Sequence, residues 1–130
     1  MSDDIYRQQI LEHYKQPTHR GVIADATISH EEDNPLCGDK IRIDLLVRDE
    51  VVQDAKFSGQ GCAISQASAD MLIDLIKGRT LSEVRRFDKQ VILEMLGIPL
   101  TAARLKCALL SLKVVKVGAY GLSAWHEEEE

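Results

Sequence analysis

The order of periodicities along this 130-residue chain predicts an α+β fold, a small three-stranded antiparallel sheet with helices packed on one face. Three observations lead there. A helical apolar pattern opens the chain, segments of alternating polarity occupy residues 26–58, and from Ile64 onward the period returns to that of helices. The length fits one domain with a core of its own and no need of disulfide staples. We place that domain at residues 1–117 and expect residues 118–130 to form a mobile acidic tail.

Tyr6, Ile10, Leu11 and Tyr14 recur at helical spacing before Pro17, so a first helix of about ten to twelve residues should end near Gln16. Ala26, Ile28 and His30 alternate with Thr27, Ser29 and Glu31, the pattern of a half-exposed strand. Ile41, Ile43, Leu45 and Val47 alternate with polar residues in a second strand, and Gln53, Ala55 and Phe57 oppose Asp54, Lys56 and Ser58 in a third. Asp49-Glu50 joins these two as a hairpin, although Glu50 is not the glycine a tight turn prefers. Ala67, Ser68, Met71, Leu72, Leu75 and Ile76 mark one face of a helix that stops at Gly78. Thr80-Leu81-Ser82-Glu83 has the form of a capping box opening a short helix, and another should span Lys89 to Leu96. After Gly97-Ile98-Pro99, Leu105, Ala108, Leu109, Leu112 and Val115 form one stripe of a long last helix, while Leu110, Val114 and Val117 form a second. Such a helix is buried.

Composition narrows the function classes. The net charge of −5 argues against nucleic acid as partner, because phosphate binding relies on clustered Lys and Arg, whereas an acidic face suits a basic patch on another protein. No apolar run approaches the roughly 18 residues of a membrane span, so no membrane association is expected. The start, Met1-Ser2-Asp3-Asp4, lacks the basic and apolar regions of a secretory signal, which gives a cytoplasmic expectation. No Ser-His-Asp or Cys-His arrangement, phosphate loop or HExxH motif supports the usual enzyme classes.

The three cysteines carry the chemistry, and none belongs to a Cys-x-x-Cys pair. Cys62 follows Gly59-Gln60-Gly61 where a strand pattern gives way to a helical one, which would put its sulfur at a helix N-terminus. Free amides and the helix dipole favour a thiolate there; the alternative is a buried cysteine acting as a small hydrophobe. Cys37 lies in Asn34-Pro35-Leu36-Cys37-Gly38-Asp39, a turn stiffened by Pro35 and loosened by Gly38. Asp39 could chelate an ion with Cys37, although the local sequence favours its capping the turn. Cys107 follows Arg104 and Lys106, cations that would stabilise a thiolate, but sits in an apolar helix where a core role is natural. Should the three meet at one edge of the sheet, three thiolates and a carboxylate could hold zinc tetrahedrally or carry an iron-sulfur cluster. The residual negative charge would be eased by Arg104 and Lys106. His13, His19, His30 and His126 have no spacing that compels metal binding, so surface roles are expected of them, with His30 the nearest candidate to Cys37.

Several contexts together resemble a known family: Ile5-Tyr6-Arg7-Gln8 through His13-Tyr14-Lys15 and Arg20-Gly21, Asn34 through Asp39, Asp54-Ala55-Lys56-Phe57 through Gly61-Cys62-Ala63-Ile64-Ser65, and Arg104-Leu105-Lys106-Cys107-Ala108. They are similar to the U-type iron-sulfur cluster assembly family, which includes the IscU, NifU N-terminal and SufU proteins, over about residues 5–117. The resemblance implies a SufE/NifU-like α+β fold whose Cys37, Asp39, Cys62 and Cys107 bind zinc, or a transient 2Fe-2S cluster, at one exposed end. It implies a pyridoxal-phosphate cysteine desulfurase as sulfur donor, with Cys37 expected to take the sulfur as persulfide, and a downstream iron-sulfur scaffold or apo-protein as acceptor. The site would be supported by Gly38, Gly61, Arg104 and Lys106. The alternatives are a scaffold that assembles and transfers a 2Fe-2S cluster on the same ligands, and a closed structural zinc module.

IscU-like members carry His before the third cysteine and SufU-like members Lys, so Lys106 favours the zinc-dependent sulfurtransferase branch. Two features depart from the branch patterns. The stretch from Cys62 to Cys107 is short for the insertion usual in SufU-like members, and Leu100-Thr101-Ala102-Ala103-Arg104 stands where IscU-like scaffolds carry a Leu-Pro-Pro-Val-Lys chaperone motif.

Overall fold

The apolar spacing around Ile10 produces helix α1 (Ser2–Lys15), the first element of a computed structural model that describes residues 2–35 and 38–120. Three strands follow, β1 (Ile28–Asn34), β2 (Asp39–Arg48) and β3 (Val51–Gln60), and then α2 (Ala63–Ile76), α3 (Leu81–Arg85), α4 (Lys89–Leu96) and α5 (Ala102–Tyr120). The sheet is antiparallel in the order β1-β2-β3. Helix α5 lies against β1 and β2, α2 against β3 and α5, and α1 packs onto α2. Ile41, Ile43, Leu45, Val52, Ala55 and Phe57 of the sheet thereby form one core with Leu72, Ile73, Ile76, Leu112 and Val115 of the helices. Among the described residues, no helix is long and apolar enough to cross a membrane.

Several boundaries differ from those the sequence suggests, each for a tertiary reason. Strand β1 is paired from Ile28 to Asn34, past Glu31 and through acidic residues of low strand propensity, because β2 offers a continuous ladder from Leu45 back to Asp39. The hairpin at Asp49-Glu50 is tight without glycine: both residues have positive φ, 52° and 65°, the geometry that matches strand twist. Its strain is held from outside, since Glu50 C=O accepts the Leu81 N–H at 2.8 Å. Gln53 does not share a face with Ala55 and Phe57. Leu46 pairs with Asp54 and Val47 with Val52, so Gln53 is the extra residue of a bulge and Val52 turns into the core in its place.

Helix α3 starts with the expected capping box, Glu83 N–H to Thr80 Oγ1 at 3.1 Å and Thr80 N–H to Glu83 Oε1 at 3.0 Å. Helix α5 continues to Tyr120, past the boundary expected at residue 117. Gly118 does not end it but lets it close on the sheet, since a Cβ there would lie 3.0 Å from Ile28 Cγ2. Residues 121–130, with the expected acidic tail, Trp125 and His126, lie outside the described residues. One charged side chain sits within the apolar stripes of α5: Lys116 is 1% exposed, and its Nζ donates to the Phe87 carbonyl.

The free edge of β3 is covered at two points. Phe57 donates to His19 C=O at 3.0 Å and accepts from Gly21 N–H at 2.8 Å, making a parallel bridge at Arg20. At the other end Val52 donates to Arg79 C=O at 2.9 Å and accepts from Gly78 N–H at 2.8 Å. An edge closed in this way offers little template for pairing with another chain.

Candidate metal centre

Strand β3 passes into α2 through a glycine elbow, and the glycines have separate reasons. Gly59 has φ 129°, and a Cβ there would stand 2.0 Å from the Lys40 carbonyl oxygen of the neighbouring strand. Gly61 has φ 154°, and a Cβ would stand 2.4 Å from Asp39 Oδ1. The elbow delivers Cys62 as the N-cap of α2, half-buried and without a side-chain capping bond. Cys62 therefore stands at a helix N-terminus, where the sequence pattern puts it.

Asp39 opens β2 and is 0% exposed. Its Oδ1 accepts the Cys62 backbone N–H at 2.8 Å, while Oδ2 lies 3.6 Å from Cys62 Sγ. The carboxylate is thus committed to a residue remote in sequence. Before Asp39, the Gly38 N–H donates to Asn34 C=O at 2.9 Å. From α5, Cys107 is 3% exposed and supplies the third donor. One ligand atom each from Asp39, Cys62 and Cys107 lie within 4.8 Å of one another. Zinc–sulfur bonds of about 2.3 Å and zinc–oxygen bonds of about 2.0–2.2 Å set ligand atoms roughly 3.5–3.8 Å apart in a tetrahedron. The donors and their spacing fit such an ion.

Cys37 lies outside the described residues. Gly38, next to it, is exposed at φ 71°, and among the described residues nothing beyond its chain neighbours lies within 4 Å of where its Cβ would be. Arg104 and Lys106 occupy exposed positions on α5.

Sequence reasoning missed Ser65, which is fully buried one helical turn beyond Cys62. Its hydroxyl donates to Cys62 C=O at 3.1 Å and lies 3.9 Å from Cys62 Sγ. The available signal was its i+3 spacing from Cys62, which puts both on one helix face.

The expectation of surface roles for the histidines is corrected at His19 and His13. His19 is 8% exposed; its N–H donates to Asp70 Oδ1 at 2.8 Å, and its Nε2 lies 2.6 Å from Asp74 Oδ1. His13 Nδ1 lies 2.6 Å from Asp70 Oδ2. Fully buried Asp70 in α2 thus ties down both α1 and the segment after it, as a buried carboxylate requires partners. His30, the candidate nearest Cys37, pairs with Glu32 at 2.6 Å on β1.

Residues 5–127 match the family model described as the NifU-like N terminal domain. The chain belongs to that family. It is 37% identical to the zinc-dependent sulfurtransferase SufU of Bacillus subtilis, covering 89% of this chain and 90% of that protein. It is 38% identical to the iron-sulfur cluster assembly scaffold protein IscU of Thermotoga maritima, covering 86% of this chain and 90% of that protein. Among solved structures it is similar to FiSufU, a protein of the SUF system from Fervidobacterium islandicum. That likeness has a TM-score of 0.76 at 30% identity over 92% of this chain and 99% of the other. The three-stranded antiparallel sheet with its helices is the fold of this NifU-like family, and near-equal identity to SufU and IscU relatives does not separate the branches.

Proposed function

We propose that this protein is an iron-sulfur cluster biogenesis factor that accepts sulfane sulfur from a cysteine desulfurase and passes it to a downstream scaffold or apo-protein. The accepting site comprises Cys37, Asp39, Cys62 and Cys107 with zinc bound. The observation that carries this reading is the gathering of Asp39, Cys62 and Cys107 ligand atoms within 4.8 Å, from three elements far apart in sequence. The zinc-dependent sulfurtransferase named among the relatives supports it. Zinc, when bound, would hold the thiols deprotonated at neutral pH.

Cys37 is the sulfur acceptor in this reading, because Gly38 beside it is exposed with open space where a Cβ would stand, whereas Cys107 is fixed within a packed helix. Its thiolate attacks the outer sulfur of the partner's cysteine persulfide. One S–S bond forms at Cys37 as the other breaks, and the partner's cysteine leaves as thiolate, so no external oxidant or reductant is needed. Asp39 keeps Cys62 in place through its backbone amide. Arg104 and Lys106 would balance the negative charge of the ligand set. Cys37→Ala should abolish stimulation of desulfurase turnover; stimulation at the wild-type level overturns the assignment.

A second reading takes the same side chains as a scaffold carrying a 2Fe-2S cluster as cargo, and the scaffold proteins among the relatives favour it. Anaerobic reconstitution separates the two: a stable chromophore transferable to an apo-ferredoxin supports the scaffold, and its absence with zinc retained supports sulfur transfer. A closed structural zinc module would bury all its sulfurs, whereas Cys62 is half-buried. Such a site would resist alkylation.

A further inference from the structure

We infer that Arg20 and Gln66 form a positioning pair that holds the Cys62 elbow in register with Asp39 and Cys107. The inference deepens the sulfur-accepting reading and rests on it for its functional meaning.

The elbow needs such a device. Gly59 and Gly61 both take positive φ, so the backbone carrying Cys62 passes through two of the most conformationally permissive positions a chain can have. The Cys62 side chain makes no capping bond, and the bonds from Asp39 and Ser65 act at Cys62 itself, past the two glycines. The guanidinium of Arg20 addresses this from outside the elbow. Its Nη2 donates to Gly59 C=O at 2.8 Å, and its Nη1 donates to Gln66 Oε1 at 2.8 Å. Gln66 Nε2 in turn donates to Gly61 C=O at 2.8 Å. Both glycine carbonyls are thus gripped, one directly and one through the amide of Gln66.

The grip has a fixed base. The Arg20 guanidinium lies 5.6 Å from the centre of the buried Phe57 ring, which orients its planar fork. The backbone on either side of Arg20 is bonded to Phe57 of β3, and His19 is bonded to Asp70 and Asp74 of α2. The elbow is therefore braced against the two elements it connects. A lysine at position 20 could not reproduce the fork, because an ammonium is a single point of donation. Arg20 is exposed and grips the carbonyl of Gly59, so it acts through the backbone of Gly59–Cys62. Residues Arg20 and Gln66 also line a shallow hollow with Tyr14, Lys15 and Pro17, which leaves the bracket open to solvent and to an approaching partner.

The test uses the full chain with Arg20→Ala, Arg20→Lys, Gln66→Ala and the double alanine variant. Amide hydrogen exchange is measured on the metal-free protein, and zinc release to a chelator on the loaded one. Loss of hydrogen bonds from a charged donor predicts exchange at the Cys62 amide faster on the order of tenfold in Arg20→Ala, with core amides of β2 and α5 unchanged. Arg20→Lys should fall between, and because the bonds are shared the double variant should add less than the sum of the singles. Zinc release should accelerate by a similar factor. Elbow exchange unchanged in Arg20→Ala, or acceleration spread evenly over β2 and α5, overturns the inference. A wild-type chain that fails to retain zinc would defeat the functional reading while leaving the exchange measurement to decide the bracket.

Discussion

Gly61→Ala would place a Cβ 2.4 Å from Asp39 Oδ1 and 2.7 Å from Ser65 Oγ, on a backbone at φ 154° that L-residues rarely adopt. Neither neighbour can yield cheaply, because Asp39 and Ser65 are both fully buried. The Asp39 carboxylate would have to give up its 2.8 Å bond from Cys62 N–H, a loss of about 1.5–3 kcal/mol for a charged acceptor. Strain at the backbone adds about 1–3 kcal/mol. Together these predict destabilisation of about 2.5–6 kcal/mol, a fall in melting temperature of about 9–22 °C for a domain of this size. Gly38→Ala is the control, since among the described residues its Cβ would meet nothing beyond its chain neighbours within 4 Å. Only the left-handed backbone penalty of about 1–2 kcal/mol remains there. Calorimetry in the presence of chelator reads the fold alone, and a zinc competition titration on the same variants reads the site. A Gly61→Ala protein that melts no lower than Gly38→Ala would refute the close packing of Asp39 against the elbow.

Two further predictions concern groups outside the site. Burial pushes the Asp44 carboxyl up, but the Ile23 amide, the Ser29 hydroxyl and Arg42 together hold its pKa below the ordinary value. The stability this contributes is full above the unfolded-state pKa of about 3.9 and is lost as pH falls through the folded value. Asp44→Asn should therefore cost about 1–3 kcal/mol at pH 7, with the deficit shrinking below about pH 4 in urea titrations; a pH-independent deficit would contradict this. Lys116→Ala removes a buried stem and strands the Phe87 carbonyl, so a loss of about 2–4 kcal/mol is expected by denaturant unfolding. A cost below about 0.5 kcal/mol, normal for a surface lysine, would contradict that burial.

Much of the fold was legible because local rules and tertiary contacts agree in it. The capping box at Thr80, the helix over Lys89–Leu96, the stop before Gly78 and the strand-to-helix change at Gly61 each follow from residues within one turn of the feature they define. Legibility failed where a distant partner decides. The bulge at Gln53 depends on how Val52 and Asp54 meet β2, and the reach of β1 through Glu32 and Asp33 depends on the ladder β2 offers. His13 and His19 looked like surface residues because nothing near them in sequence reveals that Asp70 lies buried against them.

The site divides in the same way. The chain by itself determined which groups can bind a soft cation: thiols at 37, 62 and 107, one carboxylate at 39, and glycines where the backbone must turn sharply. Only the folded arrangement decided that Asp39 bonds across to Cys62, that Cys107 stands within 4.8 Å of both, and that Arg20 and Gln66 grip the elbow between them. Side-chain chemistry is fixed residue by residue, whereas proximity between β2, the β3–α2 elbow and α5 exists only once the sheet has closed and its apolar face is covered by helices.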